Sequence, residues 1–137
     1  MNLHGRDAYI STVRLASGLE VINVKDILKR IRSRAAASGI EMLLTEADLE
    51  TIKARSNGHC ELTGMRFSDE KPLGKRFRPW MPSIDRIRCS LPYQLSNCRI
   101  VCAYANLAIN DLGEDEFYKL ASMFVKAHKR RSRRASL

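Results

Sequence analysis

The sequence predicts an α+β fold: a mostly helical single domain built around a small strand–loop–strand–helix unit. Three observations lead there. Apolar residues recur at helical spacing after Asn23 and again after Glu114. Two short apolar runs of strand length, Pro82-Ser83-Ile84-Asp85-Arg86-Ile87 and Asn97-Cys98-Arg99-Ile100-Val101-Cys102, lie close together in the chain. A helical segment carrying Asn106 and Asn110 follows the second run. The 137 residues suffice for one hydrophobic core but not for two independent ones.

Taken in order, residues 1–24 form an N-terminal extension with two β-prone runs, 9–15 and 19–24, around Ser17-Gly18. A hairpin is one reading; a short helix before Gly18 is the other. From Asn23, a plausible N-cap, Val24, Ile27, Leu28, Ile31 and Ala35 fall on one helical face, and Gly39 stops the helix. Its other face carries Lys25, Lys29, Arg30, Arg32 and Arg34, either a solvated face or a surface for phosphates. Residues 40–44 read as extended. Thr45 opens a second helix with Asp48 placed for a capping box, Leu49 and Ile52 face inward, and Asn57-Gly58 ends it.

Residues 66–80 interleave Arg66, Lys71, Lys75, Arg76 and Arg78 with Phe77 and Trp80, a mixture suited to backbone contact and base stacking. Trp80 is expected inside and the cations outside. The central unit then reads as a strand over 82–87, a loop, a strand over 98–101 and a helix over 102–111. An amphipathic helix over 114–127 is expected to pack across the core with Phe117, Leu120, Ala121, Phe124 and Val125 inward. The domain proper thus spans 25–127. Residues 128–137 form a basic tail, expected to be disordered and to bind phosphates without reading sequence.

Composition bounds the function. Hydrophobic residues at 45% and charged residues at 28% are ordinary globular values. Lys and Arg number 24 against 15 acids, a net charge of +9. That excess favours a polyanionic partner, nucleic acid before membrane. No stretch reaches the roughly 20 apolar residues of a membrane span, and no signal-peptide core is visible, so a reducing cytoplasm is expected. Cys60, Cys89, Cys98 and Cys102 then read as free thiols. Cys60-Glu61-Leu62-Thr63 and Cys102-Ala103-Tyr104-Ala105 each hold one half of a two-thiolate knuckle, so structural zinc is not expected.

From about Thr45 to Leu112 the chain resembles the HNH, or His-Me finger, endonucleases, whose core is a ββα-metal finger. The residues carrying the likeness are Cys60-Glu61-Leu62-Thr63-Gly64, Pro82-Ser83-Ile84-Asp85-Arg86-Ile87, Tyr93, Asn97 to Cys102, and Asn106. It is similar in particular to small phage-borne members with an S-[IL]-D-R-I pattern followed by Y-x-x-x-N-x-R-[LI]-V-C. Each fragment alone is weak; their order is more specific, with twelve positions from Asp85 to Asn97 and nine more to Asn106.

The resemblance implies roles. Asp85 corresponds to the acid that ligates a single divalent cation, Asn97 to the residue that braces the loop, and Asn106 to the second metal ligand on the helix, with Asn110 one turn further able to assist. Oxygen ligands tilt the cation toward Mg²⁺ or Mn²⁺. It also implies cleavage of DNA, most readily double-stranded, with low intrinsic sequence specificity. Phosphate contacts are expected from Lys75, Arg76, Arg78, Arg88, Arg99, Arg130, Arg131, Arg133 and Arg134.

One departure stands out. Where the family places its general-base histidine, this chain has Arg86, which stays protonated at any working pH. Arg86 is expected to grip the scissile phosphate as an electrostatic catalyst instead. The base is left to His59, Tyr93 or a metal-bound hydroxide. The alternatives are a nucleic-acid-binding module that has lost its base, or a phage accessory protein that binds a host protein.

Overall fold

The periodic segment after Asn23 folds as helix α1, Val24–Ser38, in a computed structural model that describes residues 17–136. Asn23 Oδ1 accepts from the Asp26 N–H at 3.0 Å, satisfying a donor that the first turn leaves without a helical partner. Gly39, at φ 65°, closes the helix in the left-handed region that a side chain would disfavour. The buried residues are Val24, Ile27, Leu28, Ile31 and Ala35, the five that the spacing selects.

Helix α2, Glu46–Ser56, begins with the full reciprocal box: Asp48 N–H to Thr45 Oγ1 at 3.1 Å and Thr45 N–H to Asp48 Oδ2 at 2.9 Å. Between the two helices the extended stretch pairs with Tyr93, through Leu43 N–H to the Tyr93 carbonyl and Tyr93 N–H to the Glu41 carbonyl.

Strands β1, Pro82–Arg86, and β2, Cys98–Cys102, form a two-stranded antiparallel sheet in which Ile84 faces Ile100 and Asp85 faces Arg99. Helix α3, Ala103–Ile109, follows β2 directly. It is shorter than the expected 102–111, because Asn110 turns to φ 50° and residues 110–112 tighten into a 3-10 turn. Helix α4 runs from Glu114 to Ala135. The described chain is therefore an α+β domain of four α-helices and one small sheet.

The expected N-terminal hairpin is described only in its second run, which is not a strand. Its first run, 9–15, lies outside the described residues. Its second run is a turn closed by Glu20 N–H to the Ser17 carbonyl and Ile22 N–H to the Leu19 carbonyl, after which Asn23 caps α1. The helix start takes the residues that a strand would need.

The C-terminal end differs too. No residue of α4 is buried, and the basic segment continues the helix instead of leaving it as a tail. Acids at Glu114, Asp115 and Glu116 in the first turn, with Arg133 and Arg134 in the last, match the helix dipole at both ends. Leu120, Phe124 and Val125, expected inward, are exposed.

The core lies under the sheet and the inner faces of α1 and α2, with Ile52, Phe67, Ile100 and Val101 among its fully buried side chains. A two-stranded sheet leaves a free edge on each strand, and the outer edge of β2 is covered by side chains. Glu61 accepts from the Ile100 N–H at 2.7 Å while its own N–H donates to the Ile100 carbonyl at 2.9 Å. Arg55 grips the same carboxylate and donates to the Cys98 carbonyl at 3.0 Å, tying α2 to β2. Glu61→Ala leaves that buried edge without its acceptor and is expected to lower stability by about 1–3 kcal/mol. The urea midpoint checks this, with Glu61→Gln recovering part of the loss.

Candidate functional site

A cleft of about 860 Å³ opens between α1, the loop before β1, and the β1–α3 side of the sheet. Asp85, Arg86, Asn106 and Asn110 all line it, so the sheet and helix bring the expected site residues to one wall. The facing walls are basic: Arg30 and Arg34 from α1, one helical turn apart, and Arg76 and Arg78 from the loop. Helical spacing alone puts Arg30 and Arg34 together. That the core turns this pair toward Asp85 is set by packing.

Asp85 is 6% exposed, and its Oδ2 accepts from Arg99 Nε at 2.9 Å. The same guanidinium donates through Nη1 to Glu114 Oε2 at 2.7 Å, joining β1, β2 and the first turn of α4. Burial raises the Asp85 pKa above the usual carboxylate range; the Arg99 hydrogen bond and charge oppose the rise without cancelling it. Arg99, expected to meet phosphate, is thus held between two carboxylates. The cross-strand register that pairs it with Asp85 cannot be read from either strand alone.

Asn106 Nδ2 donates to Ser83 Oγ at 2.7 Å and to the Ile84 carbonyl at 3.3 Å, which pins α3 against β1 just before Asp85. With its amide nitrogen used this way, Oδ1 is the Asn106 atom able to ligate or accept. Asn110 sits exposed on the cleft rim.

Asn97, 3% exposed, closes the loop between the strands. Its Oδ1 accepts from the Arg88 N–H at 2.9 Å, and its Nδ2 donates to the carbonyls of Arg88 and Pro92, each at 3.0 Å. It touches backbone on both sides of the loop, which is the geometry of a brace.

Arg86 is committed as well. Its Nη1 donates to the carbonyls of Cys89 at 2.6 Å and Leu91 at 2.9 Å, and its guanidinium lies over the Tyr93 ring, 5.1 Å from the centroid. The side chain expected to hold a phosphate also holds the loop. Tyr93 is buried beneath it, whereas His59 is exposed, bonds to the Asn57 carbonyl through Nδ1, and does not line the cleft.

The remaining cations fall in two groups. Lys75 and Arg88 are exposed away from the lining, and Arg130, Arg131, Arg133 and Arg134 are exposed on the last turns of α4. Trp80 is half-buried and stacks on Tyr104, with ring centroids 6.1 Å apart, while Phe77 stays at the cleft.

The two half-knuckles converge in the core. The Cys102 N–H donates to Cys60 Sγ at 3.3 Å, and both thiols are buried. The hydrogen bond between the thiols lowers Cys60 and raises Cys102, while burial pushes Cys98 up to about 11. Cys89 is exposed, with Asp111 Oδ1 3.8 Å from its sulfur. Among the described residues no group of three or more His, Cys, Asp or Glu side chains could hold a metal ion, and no helix is long and apolar enough to cross a membrane. Comparison with known proteins gave no match to a family model, a curated protein or a solved structure.

Proposed function

We propose that this chain is a metal-dependent endonuclease that hydrolyses DNA phosphodiester bonds at an HNH-like ββα finger formed by β1, β2 and α3. The observation that carries this reading is the placement of Asp85 and Asn106 on one wall of a cleft whose other walls carry Arg30, Arg34, Arg76 and Arg78. Two hard oxygen donors, a carboxylate and an amide carbonyl, fit Mg²⁺ or Mn²⁺ and leave room for water and phosphate oxygens. When bound, such a cation supplies charge stabilisation to the phosphate and to the leaving 3′ oxygen.

The chain's own residues do the rest. Arg30, Arg34, Arg76 and Arg78 hold the backbone through its phosphates, contacts that carry no base identity and so support low sequence specificity. Asn97 and Arg86 keep the loop between the strands in shape through its carbonyls. Arg99 gives Asp85 a positive partner and is held by Glu114 as well, so it would keep one carboxylate partner if Asp85 held a cation.

One observation favours a second reading, a nucleic-acid-binding module without catalysis: Asp85 is buried in an ion pair, and Arg86 in the base's place cannot accept a proton. Supercoiled plasmid incubated with the protein and Mg²⁺ or Mn²⁺ separates the two. Nicking that needs the metal and stops with chelator supports the endonuclease. Salt-sensitive binding without nicking selects the module, and neither activity overturns both.

A further inference from the structure

Helix α4 carries an apolar stripe that is exposed among the described residues, its Phe124 ring stacked on His128 of the same helix with centroids 5.7 Å apart. Leu120, Met123 and Phe124 are each 61% exposed, and with Ala127 they recur at i, i+3, i+4 and i+7, which places them on one side of the helix. At its start the same helix meets the domain through Phe117 and Ala121, which share a small cavity with Leu62 and Ala105, and past Ala121 the stripe runs on into solvent. An isolated polar helix end would not need three large apolar residues in open solvent.

The charges beside the stripe say what covers it. The first turn of α4 is acidic, at Glu114, Asp115 and Glu116, and its last turns are basic, at Arg130, Arg131, Arg133 and Arg134. A helix that is acidic at one end and basic at the other is complementary to its own copy run antiparallel. We infer that the exposed face of α4 is a self-association surface, on which a second copy of this chain docks its own α4 antiparallel about a two-fold axis.

The register follows from the stripe. With the axis between Met123 and Phe124, Met123 of one copy meets Phe124 of the other, and Leu120 meets Ala127. Counting outward, Glu116 then meets Arg131. Every contact occurs twice, as an isologous interface requires. Among the described residues Glu116 pairs with Lys119 of its own helix, at 2.8 Å and in solvent, a pair that yields readily to an interhelical partner. The apolar stripe supplies the attraction and the end charges select the antiparallel direction over the parallel one, which would set acid on acid and base on base.

This inference is independent of the nuclease reading, because none of these residues lines the cleft. Sedimentation equilibrium of the full chain over a wide concentration range is expected to give twice the 15.6 kDa mass of one chain. Phe124→Glu is expected to return the monomer with helical circular dichroism retained. Glu116→Lys and Arg131→Glu should each weaken the dimer by about tenfold, since each creates two like-charge pairs. Glu116→Lys combined with Arg131→Glu should restore it. A monomeric mass throughout overturns the proposal. So does a combined variant no tighter than the single ones, which would leave the charges without a role. A monomer that loses thermal stability on Phe124→Glu also overturns it, assigning the face to another segment of the same chain.

Discussion

Asp85→Ala is expected to reduce metal-dependent plasmid nicking on the order of a hundredfold or more while leaving salt-sensitive DNA binding in place. The carboxylate is the charged member of the proposed ligand pair, and the Asn106 amide alone holds a hard cation poorly. The arginines on the facing walls are untouched by the change, so the proposed phosphate binding is expected to persist. Arg99 loses one partner but retains Glu114, which limits the damage to the fold. Nicking and binding measured on the same preparation decide the matter: equal nicking by the variant removes Asp85 from the reaction.

The pH dependence has a definite sign. Burial holds the folded-state pKa of Asp85 above its unfolded value, so the acid protonates earlier on descent than an exposed carboxylate. A protonated acid is a poor ligand, and nicking should fall as pH is lowered through that raised pKa, above the ordinary value of about 3.9. Stability runs the other way. The contribution of Asp85 protonation is fully present below the unfolded pKa and is lost as pH rises through the folded one. Asp85→Asn, neutral at every pH, should lack this titration in denaturant midpoints measured across the same window.

Removing Arg30, Arg34, Arg76 and Arg78 together, each as alanine, is the second large effect expected. If each meets one phosphate, the slope of log affinity against log salt should shrink by about 3–4 and affinity should fall on the order of a hundredfold at low salt. The loss should be similar for unrelated sequences, because these contacts position and do not read. Replacing Arg130, Arg131, Arg133 and Arg134 is the informative control, since they sit on α4 away from the cleft lining. A larger loss from that set would move the interface out of the cleft.

The parts of this fold legible in sequence are those decided within a few residues. The inner face of α1, its Asn23 cap, the Thr45 box and the two short strands all follow from local spacing and local hydrogen bonds. What a face meets is a tertiary matter. Periodicity marks Leu120 and Phe124 of α4 as one stripe but cannot say whether the core or solvent receives it. The same holds at the candidate site. Asp85, Asn97 and Asn106 are singled out by the family resemblance, whereas the Asp85–Arg99–Glu114 chain depends on strand register and on where α4 begins. Arg86 shows a third case: its chemistry rules out a base, but only its loop carbonyls and the Tyr93 ring reveal what the side chain holds.

The meeting of Cys60 with Cys102 also places this core close, in mutational terms, to a different kind of stability. Thr63 and Ala105, each three residues beyond one of those thiols, line a shared small cavity. Thr63→Cys with Ala105→Cys would supply the missing half of two knuckles around a pair of sulfurs already in contact. A four-thiolate set of that kind draws folding energy from zinc. Two codon changes thus separate a domain held by packing and by the Glu61–Arg55 clamp from one whose folded population would track the supply of metal.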